Sequence, residues 1–140
     1  MLSVTQYFVD SLIERGLKCI IEDTSDERNV VRLNFNGKNY AQISVFLYFS
    51  KEEKYAEIRC FGICRVSEEK RQEVLELLNT LNLKYRWLKF YIDTKGMVCS
   101  AADAMIGTDT VAQICTEYAM RSARIIDEAY PDLMKTQWSN

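Results

Sequence analysis

The sequence predicts an α+β fold: a twisted antiparallel sheet flanked by three helices, in the order α-β-β-β-β-α-β-β-α. Three observations carry this. Period-two alternation recurs through residues 18–64, with short polar turns between the runs, and consecutive strands joined that way pair antiparallel. Three further stretches carry apolar residues at helical spacing with capping signals beside them. These stretches stand apart from the strand run, which stacks helices on a sheet face rather than between parallel strands.

The elements follow in order. Residues 3–16 form the first helix, with Ser3 or Thr5 as cap, a stripe of Val4, Phe8 and Leu12 widened by Val9 and Ile13, and Gly16 as a left-handed C-terminal cap. Lys18 to Asp23 is a short strand, and Thr24 to Arg28 is a polar connection. Asn29 to Asn36 is the second strand. Asn36-Gly37 predicts a tight hairpin, since a type I′ turn needs positive φ at both central positions; Gly37-Lys38 as the central pair shifts only the register. In the third strand, Tyr40 to Ser50, Ile43, Val45, Leu47 and Phe49 alternate with Ser44, Phe46, Tyr48 and Ser50. After a charged turn, Tyr55 to Cys64 is the fourth.

The organising stretch runs from Ser67 to Asp93. Ser67 suits an N-cap, and Glu68 and Glu69 favour the helix dipole. Val74, Leu77, Leu78 and Leu81 form one apolar stripe, while Asn79 and Asn82 weaken the helix near its end. Leu88, Phe90 and Ile92 then alternate with Trp87, Lys89 and Tyr91. Asp93-Thr94-Lys95-Gly96 is a turn, and Met97 to Ala102 returns as partner strand. Thr108 caps a long last helix, which Tyr130-Pro131 is expected to end or kink, with Leu133, Met134 and Trp138 docking a last turn.

Composition bounds the function. A chain of 140 residues, 48% apolar with one Pro and five Gly, is large enough for one domain spanning residues 1–140. Its 18 basic and 20 acidic residues give a net charge of −2, which calls for neither nucleic acid nor an anionic membrane. The start has no basic region followed by an apolar core, so no signal peptide is expected, and no run approaches the ~20 apolar residues of a membrane span. A cytoplasmic protein is expected. Its five cysteines then read as reduced thiols. Cys60 and Cys64, four apart on a strand, stand ~13 Å from each other, too far for a disulfide or a shared zinc.

There is no His, which removes the commonest general base and nitrogen ligand. No glycine-rich phosphate loop is present. Asp23, Asp26 and Glu27 cluster at a strand end and read as solvated acids rather than a metal site. No enzyme, cofactor or metal is expected.

A feature is left over. Phe46, Tyr48, Tyr55, Phe61, Trp87 and Tyr91 alternate with the aliphatic set and gather on the sheet face opposite it. A solvated sheet face should read polar. Rings there are either an ordinary half-buried surface or a contact surface for a second subunit or a client, where tyrosine and tryptophan are enriched.

The run VLELLNTLNLKYRWLKFYIDTKGMV, with its helix ending in paired Asn and the strand WLKFYID, resembles the central signature of YbjN-domain proteins, the sensory transduction regulators. The Tyr130-Pro131-Asp132-Leu133 element near the end of the last helix matches as well. Val66-Ser67 departs from the Val-Pro pair common at the entry to the middle helix. The resemblance implies a fold like that of type III secretion chaperones, commonly homodimers that hold a client's extended segment, and it brings no active site.

These readings converge on a non-enzymatic protein-binding module, chaperone-like or regulatory, acting as a homodimer with a protein or peptide client. The candidate contact residues are Phe46, Tyr48, Trp87 and Tyr91, with Val74 and Leu78 as an alternative dimer face. The rival reading is a small-molecule-sensing regulatory domain, which would need a concave apolar pocket.

Overall fold

The computed structural model describes residues 1–26 and 28–139. The elements are α1 (Ser3–Glu14), β1 (Ile20–Asp23), β2 (Asn29–Phe35), β3 (Ile43–Phe49), β4 (Tyr55–Arg65), α2 (Arg71–Lys84), β5 (Lys89–Ile92), β6 (Met97–Met105) and α3 (Val111–Trp138). A single 3-10 turn, Glu68–Lys70, leads into α2. The strands form one six-stranded antiparallel sheet in the order β1-β2-β3-β4-β6-β5. The α+β class and the element order are those the sequence predicts.

The core lies between one sheet face and the helices. Val31, Val45, Leu47, Phe49 and Ile58 point inward from the strands and meet Phe8 and Leu12 of α1 and Ile126 and Leu133 of α3, all buried. Phe8 packs on Phe49 at 5.7 Å between ring centroids. The α1 stripe is core along Val4, Phe8, Val9 and Leu12, but Ile13 stands 66% exposed. Its C-terminus closes as predicted: Gly16 has φ 72°, and the N–H of Leu17 reaches the carbonyl of Leu12.

The N-terminal caps differ from expectation, and at α1 a distant side chain supplies the cap. Neither Ser3 nor Thr5 caps α1; Glu53, in the β3–β4 turn at φ 60°, accepts from the N–H of Val4 at 3.1 Å. Asn29 accepts from the N–H of Leu2 at 2.8 Å and donates to Asp23 at 2.7 Å. Ser67 makes no side-chain cap. Nor does Thr108 cap α3; instead the Thr110 hydroxyl accepts from the N–H of Gly107 at 3.0 Å. Of the acids beside β1, Asp26 pairs with Arg28 at 2.8 Å, and Glu27 lies outside the described residues.

The β2–β3 connection is not a tight hairpin. Residues 36–42 lie outside both strands, and Gly37 does not have positive φ. Its role is close approach: a Cβ there would collide with the Asp127 carboxylate of α3 and the Tyr40 carbonyl. That carboxylate accepts from the N–H groups of Lys38, Asn39 and Tyr40 at 3.1, 2.8 and 2.9 Å, and docking the loop on α3 replaces the two-residue turn. Pro131 neither ends nor divides α3, which continues to Trp138.

Other turns follow their residues. Asp93 accepts from the N–H groups of Lys95 and Met97 at 2.9 Å each, and Gly96 sits at φ 79°. In β4 the register slips between Cys60 and Cys64, around Gly62 at φ 61°. This is a bulge, which twists the strand locally.

Candidate protein-binding surface

The sheet face away from the helices is best read across the strands. One row runs Ile20, Arg32, Phe46, Arg59, Ala101 and Lys89, spanning all six strands. The adjacent row runs Glu22, Val30, Tyr48, Glu57 and Asp103. Beyond these, Tyr55 pairs with Met105 at one end and Tyr91 with Cys99 at the other. The rings Phe46 and Tyr48 on β3 therefore lie beside the charged pair Glu57 and Arg59 on β4.

Arginines cover the rings in part. The Arg28 guanidinium sits 5.2 Å from the Tyr48 ring centroid and that of Arg32 sits 5.9 Å from Phe46, both cation–π distances. Phe46 also meets Phe61, carried out by the β4 bulge, at 5.7 Å. Arg59 joins the rows: it pairs with Asp103 at 2.9 Å and Glu57 at 4.0 Å and donates to the Ala102 carbonyl at 2.9 Å. Glu57 also holds Arg28 at 3.4 Å. Burial pushes the Tyr91 hydroxyl and the Cys99 thiol above their ordinary values.

Phe46 and Tyr48 are half-buried, while Tyr55, Phe61 and Tyr91 are exposed. These five rings share the open face. Trp87 does not join them. It precedes β5 with φ 75°, and this left-handed residue breaks the alternation the sequence predicts. Its indole packs edge-on against Tyr118 of α3 at 6.2 Å, on the helical side. Val74 and Leu78 are 1% and 3% exposed, since their stripe faces the core of this chain, whereas Leu75 and Leu83 of α2 are exposed. The pattern also hid Met105, 85% exposed on this face, because β6 runs three residues beyond its predicted end.

Other chemistry is sparse. No group of His, Cys, Asp or Glu among the described residues is placed to hold a metal ion. All five cysteines are free. Burial pushes the thiols of Cys60 and Cys115 up to about 12 and that of Cys64 to about 11, which suppresses thiolate. No described helix is long and apolar enough to cross a membrane.

A six-stranded antiparallel sheet, helices on one side and a mixed aromatic and charged layer on the other, defines a helix-backed α+β domain with an open sheet face. The chain belongs to the YbjN family, described as "Putative bacterial sensory transduction regulator", whose model matches residues 24–131. No curated protein matches it. Among solved structures it is similar to that of YbjN, "a putative transcription regulator from E. coli", with a TM-score of 0.61 at 11% identity, over 91% of this chain and 92% of that one. That likeness shows a shared fold. A looser superposition, TM-score 0.46 at 16% identity, covers 94% of this chain and 98% of a chain in the heterodimeric ExoU–SpcU complex from the type III secretion system of Pseudomonas aeruginosa.

Proposed function

We propose that this chain is a non-enzymatic protein-binding module, chaperone-like or regulatory, that acts as a homodimer in the bacterial cytoplasm through its open sheet face. The observation that carries this reading is the Phe46–Phe61 pair, flanked by Arg32, on a face that no described helix covers. Aromatic residues and arginine are the types enriched in protein interfaces. Phe46, Tyr48 and Tyr91 are the anchors, with Phe61 and Tyr55 beside them. The neighbouring rows carry Arg32 and Arg59 as well as Glu57 and Asp103, with Arg28 over Tyr48 beside them, so two copies related by a two-fold axis can place opposite charges against each other.

Sedimentation velocity across protein concentrations tests the reading. A concentration-dependent dimer is expected, and Phe46→Asp should abolish it while leaving the circular dichroism spectrum native. A monomer at every concentration, or a dimer indifferent to Phe46→Asp, would remove the open face as the self-association surface.

A further inference from the structure

Outside the open face, cations converge on the helical side. Arg121 and Arg124 project from α3, Lys84 ends α2, Arg86 and Trp87 lie in the α2–β5 connection, and Arg15 follows α1. Three adjoining depressions join them. One of about 620 Å³ is bounded by Arg15, Thr116, Met120, Arg121 and Arg124. A second of about 270 Å³ lies between Trp87, Ile114, Tyr118 and Arg121. The third, about 440 Å³, holds Lys84, Arg86, Trp87, Arg121 and Arg124. The single carboxylate lining this trough is Glu117, 3.4 Å from Arg121. Arg15, Arg86 and Arg124 have no carboxylate partner among the described residues.

In a chain of net charge −2, this is a local excess of cations that Glu117 alone among the lining residues offsets. Two further observations mark the place. Trp87 is 55% exposed and held at φ 75°, a conformation a bulky residue adopts only at a cost. Thr116, in the trough floor, is 3% exposed, and its hydroxyl has no hydrogen-bond partner.

We propose that this trough is a second binding site, and that it takes an extended acidic peptide segment. The trough is long: the α3 residues that line it, 113–125, rise about 18 Å, the span of roughly five extended residues. Its cations gather toward the Arg121–Arg124 end, where Lys84 and Arg86 also lie, with Arg15 bordering the first depression, which suits a segment with several neighbouring carboxylates met by guanidinium forks one at a time. Ile114 and the 53% exposed Met120 lie among the cations and offer seats for apolar side chains between the acids. A compact phosphate would occupy one end and leave those seats empty. A single nucleic-acid strand would call for a run of stacking rings, and here Trp87 and Tyr118 lie together at one place.

The probe is a fluorescein-labelled ten-residue peptide of glutamates interleaved with leucine and glycine, followed by anisotropy at low salt. Saturable binding is expected, together with a shift of indole fluorescence in a Trp138→Phe background that leaves Trp87 as the reporter. Arg86→Glu with Arg124→Glu should weaken binding at least about tenfold. Lys54→Glu with Lys95→Glu makes the same change of net charge away from the trough and should leave binding nearly unchanged. Arg86→Gln with Arg124→Gln, a milder pair on exposed positions, serves if the charge reversal disturbs folding. No saturable binding, or equal loss in trough and control variants, overturns the site. Tighter binding of a ten-nucleotide single-stranded DNA than of the peptide overturns its occupant.

Discussion

Asn39 donates its side-chain amide to the backbone carbonyl of Asp127, 3.1 Å away, at the point where Pro131 has no N–H to give. In an uninterrupted helix that carbonyl would accept from residue 131. The β2–β3 loop supplies the missing donor instead. Next to it, Tyr40 meets Tyr130 edge-on at 4.6 Å. The Tyr130-Pro131 element by which the chain resembles its family thus has a physical role here: it opens a place on α3 into which the loop docks.

The same contact makes stability depend on pH. The backbone N–H of Tyr40, then those of Asn39 and Lys38, hold the Asp127 carboxyl below its ordinary value of 3.8. A group depressed in the folded state stabilises fully above its unfolded value and loses that contribution as pH falls through the folded one. Asp127→Asn should therefore lower Tm at pH 7 by a few degrees, on the order expected for one lost cluster of contacts. The gap between variant and parent should narrow as the pH falls below 3.8. Thermal melts from pH 7 to pH 2 check this, and a gap independent of pH would refute it.

Glu53 combines two opposed effects, because its carboxylate caps α1 while its backbone sits at φ 60°. Glu53→Ala loses the cap and keeps the strain; Glu53→Gly loses the cap and relieves the strain. Both variants should be less stable than the parent, with alanine the worse by about 1 kcal/mol. Denaturant midpoints order the three proteins, and equal midpoints for Ala and Gly would show that the turn carries no strain.

Asn82 seals one edge of the sheet. Its amide accepts from the N–H of Phe90 at 2.8 Å and donates to the Phe90 carbonyl at 3.1 Å, as a neighbouring strand would. Asn82→Ala should cost about 1–3 kcal/mol and release the Phe90 amide to faster hydrogen exchange. It also bares a β5 edge open to strand addition, so the variant should aggregate more readily on storage. Unchanged exchange at Phe90 would show that the edge is protected by other means.

The thiols should react in order of burial. Cys19 is half-buried with a raised pKa, whereas Cys64 is pushed to about 11 and Cys60 and Cys115 to about 12. At pH 8 fewer than about one Cys64 in several hundred is thiolate. Brief iodoacetamide treatment followed by peptide mass spectrometry should find Cys19 modified first and Cys60, Cys99 and Cys115 modified only after denaturation. Early labelling of Cys60 would mean that β4 opens at its bulge.

What the sequence made legible is what local chemistry decides. Alternation placed Ile43, Val45, Leu47 and Phe49 on the covered face and Phe46 and Tyr48 on the open one, because a strand offers only two faces. Gly16 and Asp93 act through their nearest neighbours and were readable for that reason. The features that escaped depend on partners far along the chain. Glu53 caps a helix about fifty residues before it, and Asp127 reshapes a loop nearly ninety residues before it. Trp87 escaped because one left-handed residue ends a period-two pattern without changing its composition. The Arg86, Arg121 and Arg124 cluster is dispersed in the sequence and gathers only when α2 packs beside α3.

The Asn39–Asp127 contact gives the sharpest test of how loop and helix are coupled. With Pro131 present, Asn39→Ala leaves a solvent-exposed helix carbonyl to water in place of its donor, at a cost of about 0.5–1 kcal/mol. In a Pro131→Ala background residue 131 regains an N–H, which can supply that donor from within the helix. Asn39→Ala should then cost less, because the carbonyl it abandons is already satisfied. Pro131→Ala alone should be close to neutral, since the restored helical bond competes with a contact already made, while the proline's restraint on the unfolded chain is lost. The interaction term of the double-mutant cycle, from urea denaturation of all four proteins, is therefore expected to be about 0.5 kcal/mol and at most about 1 kcal/mol, with the double variant more stable than the sum of its single changes implies. A term near zero would mean that Asn39 acts through its turn alone and that α3 tolerates Pro131 without help from the loop.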